Sequence, residues 1–263
     1  MKPIIGIVSN ISINDEIKVN SNNVMAIELA GGEPIALITE AEDIIGNNIL
    51  DMCDGFLFQG GAYSSDFHYK IFEYAQKKNK PVLAICLGFQ AMARYFFGAG
   101  SVDLINNLDL NSDIRHNLSV DEEVVMHNII ISKDSYMYKI FGEMVEVNSR
   151  HDKTVVHVEE PFKISAKAED GIIEGIEYID DENYFVGVQF HPEDLTKMLP
   201  IFKRFIQIAN LRANKKNIER GEEYEKINCW SNGRTIKDFG TSFWKKYRSS
   251  SKCNLGTSSS KIE

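Results

Sequence analysis

The chain has 263 residues, 43% hydrophobic and 25% charged, with a net charge of −9; it is long enough for a full core, and its composition excludes a fibrous or wholly unfolded polymer. Residues 210–263 hold twelve Lys and Arg against six Asp and Glu, leaving the preceding body near −15, a sign that repels nucleic acid. No apolar run approaches the roughly 18 residues that a membrane span needs.

In chain order, Pro3 to Val8 reads as a first strand, too short for a secretory signal. A helix is expected around Asn22 to Ala30, ended by Gly31-Gly32, and then strands at Pro34 to Ile38 and Gly55 to Phe58. From Asp66, residues Phe67, Ile71, Tyr74 and Ala75 recur at helical spacing, so a helix should cover the sheet before Pro81. Strand and helix alternate here as in βαβ units with a parallel sheet. The second half carries β-branched or alternating runs at Val124 to Ile131, Met144 to Val147, Phe162 to Ala168, Ile172 to Tyr178 and Phe185 to Phe190, which predict a mixed or antiparallel extension. Pro192 and Glu193 mark the start of a last helix, with Leu195, Met198, Leu199, Phe202, Phe205, Ile206 and Ala209 on one stripe. The folded domain is placed at residues 1–212, and residues 213–263 read as a basic, Ser-rich tail, partly unfolded or a docking strap. Trp230, Phe239, Phe243, Trp244 and Tyr247 make that tail too aromatic for an inert linker.

Four cysteines, Cys53, Cys86, Cys229 and Cys253, lack CxxC spacing; this argues against a zinc site and a disulfide framework, and fits a reducing cytoplasm. Cys86 stands apart. The run Val82-Leu83-Ala84-Ile85-Cys86-Leu87-Gly88-Phe89-Gln90 is an apolar strand that stops at a cysteine and restarts as a helix, the pattern of a nucleophile elbow. Gly88 leaves room for the next turn to pass beneath. A packed core cysteine is the alternative, and only a base elsewhere can decide between them.

The strand ending at Phe190 runs into His191-Pro192-Glu193. Pro192 turns the chain, so that Glu193 can orient one imidazole nitrogen of His191 while the other faces a thiol. On one parallel sheet, Cys86 and His191 would meet at the carboxyl edge. Gln59-Gly60-Gly61, after a third strand, offers an oxyanion donor at Gly61, and the Leu87 amide at the helix start offers a second.

These three motifs, in this order and at these separations, resemble the class I glutamine amidotransferase domain over residues 1 to about 209. The resemblance implies a three-layer, flavodoxin-like α/β fold: a central, mostly parallel sheet, helices on both faces and a mixed or antiparallel extension. It implies Cys86 as nucleophile, His191 as general base and acid, Glu193 as orienting carboxylate, and Gly60 and Gln90 as substrate contacts. Further segments, among them Val147-Asn148-Ser149-Arg150-His151 and Ala168 to Glu177, resemble the γ-glutamyl-γ-aminobutyrate hydrolase branch, which makes Asn148, Ser149 and His151 substrate contacts too. Two positions depart from that branch. Leu87 stands where an arginine is usual, and Asp152-Lys153 where a second histidine and a glutamine are usual, which leaves the leaving amine open.

The resulting expectation is a cytoplasmic cysteine hydrolase that cleaves the γ-glutamyl amide of a small metabolite through a thioester on Cys86. It involves no cofactor, metal, nucleic acid or membrane, and its oligomeric state is open. The alternatives are a glutaminase subunit feeding ammonia to a separate synthetase docked through the tail, and a non-catalytic binding module of the same fold.

Overall fold

A computed structural model describes residues 2–11, 16–38, 47–110, 112–117 and 124–231. Contacts divide the chain into Met1–Ala213 and Asn214–Glu263. The first unit is built on strands β1 (Ile4–Val8), β2 (Glu33–Leu37), β3 (Gly55–Phe58), β4 (Val82–Ile85), β5 (Val125–Ile131), β6 (Met144–Ser149), β7 (Lys163–Ala168), β8 (Ile173–Ile179) and β9 (Tyr184–Val188). Its principal helices are α1 (Ser21–Leu29), α2 (Asp66–Lys77), α3 (Leu87–Phe97) and the start of α4 (Leu199–Ser231).

The main path of the sheet runs β2-β1-β3-β4-β9-β8-β7-β5-β6. The first five strands pair in parallel and the rest antiparallel. This is the α/β arrangement expected, with an antiparallel half grafted onto a doubly wound core. The order β2-β1-β3-β4-β9 has the flavodoxin-type switch point, where neighbouring crossovers leave to opposite faces and a crevice opens at the carboxyl edge.

The edge strand β2 is partly exposed, whereas the parallel strands β1, β3, β4 and β9 are buried on both faces, which is why they read as apolar runs. Period-2 geometry divides them: Ile5, Ile7, Leu57, Leu83 and Ile85 face Ala26, Ile27, Phe202 and Phe205, whereas Phe56, Phe58, Val82 and Ala84 face Phe67, Ile71, Phe72, Phe89 and Met92. Phe58 and Phe72 stack at 3.8 Å between centroids, 8° from coplanar. In β5 the same alternation buries Val125, His127, Ile129 and Ile131 and exposes the residues between.

Helix α4 starts at Leu199 instead of at Pro192. Residues 192–194 and 196–198 form separate 3₁₀ turns, because the chain must leave the sheet edge before it can lie back along it. The backbone stays helical through Ser231, past the expected boundary at 212. Residues 232–263, with Phe239, Phe243, Trp244 and Tyr247, lie outside the described residues. No helix among the described residues is long and apolar enough to cross a membrane.

Two glycines set how closely α3 approaches the sheet. A Cβ at Gly88 would collide with the backbone carbonyl of Phe58, and one at Gly187 would reach 2.5 Å from Phe89 and 2.6 Å from Met92. The first obstacle is backbone and cannot rotate away. Gly88→Ala is therefore expected to destabilise the fold by about 1–3 kcal/mol, read as a lower denaturation midpoint at unchanged m-value.

Candidate active site

The carboxyl ends of β1, β3, β4 and β9 converge on a cleft of about 270 Å³ lined by Asn20, Gly60, Gly61, Cys86, Arg150, His191 and Glu193. Strand β4 delivers Cys86, whose backbone sits at φ 50°, ψ −105°. For a non-glycine residue such a conformation costs about 1–3 kcal/mol and persists only where its surroundings hold it. Here the Cys86 amide donates to Val188 O at 2.8 Å and the Gln90 amide to Cys86 O at 3.0 Å. The bend lifts the thiol over the amino terminus of α3, whose first N–H groups, Leu87 included, have no carbonyl partner within the helix.

Strand β9, parallel to β4 with Val188 opposite Ile85, delivers His191. Its Nδ1 lies 2.8 Å from Glu193 Oε1, and its ring shares the cleft with Cys86. A carboxylate can only accept, so Nδ1 carries the proton and Nε2 is left for the thiol. Burial alone would hold the imidazolium down, but the charge of the facing Cys86 and then Glu193 outweigh it and push His191 up to about 9. Asn148 clamps the histidine from behind. Its Oδ1 accepts from His191 N and its Nδ2 donates to His191 O, each at 3.0 Å.

The glycine turn is seated just as tightly. A Cβ at Gly60 would lie 2.5 Å from His191 Cε1 and 3.4 Å from Cys86 Cβ, so only glycine lets this backbone reach both groups. Asn10 Nδ2 donates to Gly60 O at 2.6 Å, and its Oδ1 meets His68 Nε2 at 3.1 Å. Burial pushes His68 down to about 4 against the backbone bond at Ser65, so it serves as a neutral brace. Gln59 fixes the base of the turn through Val8 O at 3.1 Å, Lys18 O at 2.8 Å and the Asn20 amide at 2.8 Å.

Cys86, His191, Glu193, Gly60 and Gly61 thus share one cleft. The other expected contacts turn elsewhere. Gln90 is buried and donates to Lys153 O and Gln189 Oε1, both at 3.1 Å. Asn148 is occupied by the His191 backbone, and Ser149 donates to His116 O at 2.8 Å. His151 is buried with its Nδ1 on Lys153 O at 2.9 Å. None of these four lines the cleft: the segment closing β6 directs Asn148, Ser149 and His151 inward, and Gln90 is turned inward from α3.

Arg150, between them, is the side chain that this segment presents to the cleft, 39% exposed. Its Nη1 pairs with Asp194 at 2.7 Å, while Nη2 lies 3.7 Å from Glu193 and 2.8 Å from His191 Nδ1. A guanidinium has donors only. It therefore competes with Glu193 for the ring: accepting from Arg150 would place the imidazole proton on Nε2 and remove the base from the thiol.

Residues 65–193 match the Peptidase C26 family. A glutamine amidotransferase-like protein of Rickettsia prowazekii is 27% identical over 79% of this chain and 98% of its own length. The CTP synthase of Thermosipho africanus is 29% identical over 72% of this chain, which spans only 43% of that enzyme. Among solved structures, the glutaminase domain of Trypanosoma brucei CTP synthase, with bound acivicin, superposes at a TM-score of 0.59 with 20% identity, covering 79% of this chain and 94% of that domain. The Peptidase C26 match contains Cys86, Arg150, His191 and Glu193, and Gly60 and Gly61 lie just before it.

The second described cysteine offers a contrast. Cys53 is fully buried, and its thiol is pushed up to about 11 by burial, against the pull of Lys80. A γ-carbonyl-directed electrophile such as a diazo-ketone glutamine analogue should modify Cys86 stoichiometrically at neutral pH while Cys53 stays unlabelled, as read by peptide mass mapping. Equal labelling would remove the special status of the elbow.

Proposed function

We propose that this protein is a cysteine hydrolase of γ-glutamyl amide bonds. The observation that carries the reading is the joining, at one sheet edge, of a strained Cys86 to His191 and Glu193 beside a glycine turn that no side chain could occupy. Matches to a peptidase family and to amidotransferases support amide chemistry.

In this reading the Cys86 thiolate attacks the γ-carbonyl, and the resulting oxyanion is held by the Gly61 and Leu87 amides, each worth about 100-fold or more in rate. Protonated His191 gives its proton to the departing nitrogen, releasing the amine and leaving a γ-glutamyl thioester. His191 then takes a proton from water, the hydroxide attacks the thioester, and glutamate leaves as the thiolate is restored. Glu193 keeps Nδ1 protonated throughout. Arg150 supplies a cation in the cleft wall, where position 87 supplies none, suited to a substrate carboxylate. Residues 1–212 form the catalytic domain.

The acid role of His191 sets the pH profile. Because its pKa is raised, the imidazolium is present below about pH 9 and lost above it, so kcat/KM should fall on an alkaline limb near that value, as followed by stopped-time glutamate release.

A second reading, a glutaminase subunit that delivers ammonia to a separate synthetase docked through the C-terminal segment, is favoured by the synthetase relatives and the glutaminase-domain fold match. The deciding measurement is released glutamate from a panel of γ-glutamyl amines and glutamine, with and without a synthetase partner. We expect solo turnover of γ-glutamyl amines. Cys86→Ala should abolish it in a folded protein, and Glu193→Gln should lower kcat less than His191→Ala. Arg150→Ala should raise KM about 10-fold or more, the value of a charge-assisted hydrogen bond. Turnover of glutamine alone, and only with the partner, selects the second reading. Turnover of no amide at all leaves the non-catalytic module.

A further inference from the structure

Behind the cleft, three imidazoles point at one carboxylate. His116 Nδ1 and His127 Nε2 each lie 3.5 Å from Glu174 Oε1, and His151 Nε2 lies 3.4 Å from the same oxygen. All four side chains are 5% exposed or less. Among the described residues, none of these nitrogens, nor either Glu174 oxygen, has a hydrogen-bond partner. The opposite ring nitrogens are all engaged: His116 Nε2 with Asp170 Oδ2 at 2.8 Å, His127 Nδ1 with Asn128 O at 3.2 Å and His151 Nδ1 with Lys153 O at 2.9 Å.

Those outer partners are a carboxylate and two carbonyls, which can only accept. They fix the proton on the outer nitrogen of each neutral ring, and so turn three lone pairs toward an anion in a dry interior. Such an arrangement is repulsive unless a cation joins it. An imidazole whose far nitrogen donates to a carboxylate or a carbonyl is also how proteins orient histidine for a metal.

We propose that His116, His127, His151 and Glu174 form a buried structural zinc site. Four ligands at about 2.0–2.1 Å around a tetrahedral ion stand roughly 3.3–3.4 Å apart, and the three distances radiating from Glu174 Oε1, 3.5, 3.5 and 3.4 Å, are close to that length. His116, His127 and Glu174 already place their ligand atoms within 4.8 Å of one another; His151 lies outside that group, 3.4 Å from Glu174 Oε1, and would draw toward the other two rings to complete the tetrahedron. A divalent ion balances Glu174 and Asp170 together. Imidazole and carboxylate donors with no thiolate, in a closed four-ligand set, suit zinc or cobalt over calcium or magnesium. The site joins the loop at His116, the inward face of β5, the loop after β6 and β8. It would therefore hold the segment whose Asn148 clamps His191 and whose Arg150 enters the cleft.

The test uses the full chain purified without chelator. Elemental analysis should find a single zinc equivalent that survives gel filtration. Chelator-stripped protein should rebind cobalt with the intense visible bands of tetrahedral coordination and no thiolate charge-transfer band, and should melt at higher temperature once zinc returns. His127→Leu and His151→Leu should lose the ion, while Cys86→Ala keeps it. X-ray absorption at the zinc edge of the unmutated protein keeps the question answerable if the histidine variants do not fold: the expected shell holds nitrogen and oxygen with imidazole scattering. Metal that washes off, a melting temperature indifferent to zinc, a sulfur-containing shell, or loss of the ion in Cys86→Ala would each overturn the assignment.

Discussion

The left-handed bend at Cys86 is a conformation that an L residue resists, and much of the surrounding architecture acts to keep it in place. Val188 in the neighbouring strand accepts its amide, the first turn of α3 bonds its carbonyl, and Gly88 lets that helix sink onto the Phe58 backbone. Relaxing any of these would let the thiol fall back toward the sheet. The same close packing explains why a glycine turn faces His191: a Cβ at position 60 would lie 2.5 Å from His191 Cε1 and displace the ring.

Electrostatics then divides the site into two layers. Next to the cleft, His191 is surrounded by Cys86, Glu193 and Arg150, so small shifts of the guanidinium alter which nitrogen holds the proton. One layer deeper, the residues of the Asn148 to His151 segment turn into the protein, where Asn148 fixes the histidine backbone and His151 joins the Glu174 cluster. Arg150 is the hinge between the layers, because it alone in that segment reaches outward.

Much of this was readable from residue order. The strand-cysteine-helix junction and the His-Pro-Glu corner announce themselves because a parallel strand buried on both faces must be apolar, and chemistry begins where the apolar run stops. The division into parallel and antiparallel halves follows from the change to alternating patterns. The roles within Asn148 to His151 were not readable. A polar segment near a site gives no sign of which side chains turn inward, and here the inward ones are polar because they satisfy backbone groups and one another. His116 and His127 are hidden for a related reason: they come from a loop and a strand interior, with Glu174 far along the chain and no short ligand spacing to mark the three. Helix α4 starts later than expected because Leu195 and Met198 sit at helical intervals although Leu195 is the extended junction between two separate turns and Met198 ends the second.

Strand β9 is the last of the sheet in sequence, yet it lies near the middle, between β4 and β8. Until it arrives, the two halves of the sheet have no common seam, the backbone of Cys86 lacks the carbonyl that holds its bend, and the thiol lacks the neighbouring His191. A chain emerging in order would thus carry Cys86 without His191 through the synthesis of the 105 residues from Leu87 to His191. Assembly is therefore dominated by non-local pairing, and Cys86 meets His191 in the same step that completes the sheet.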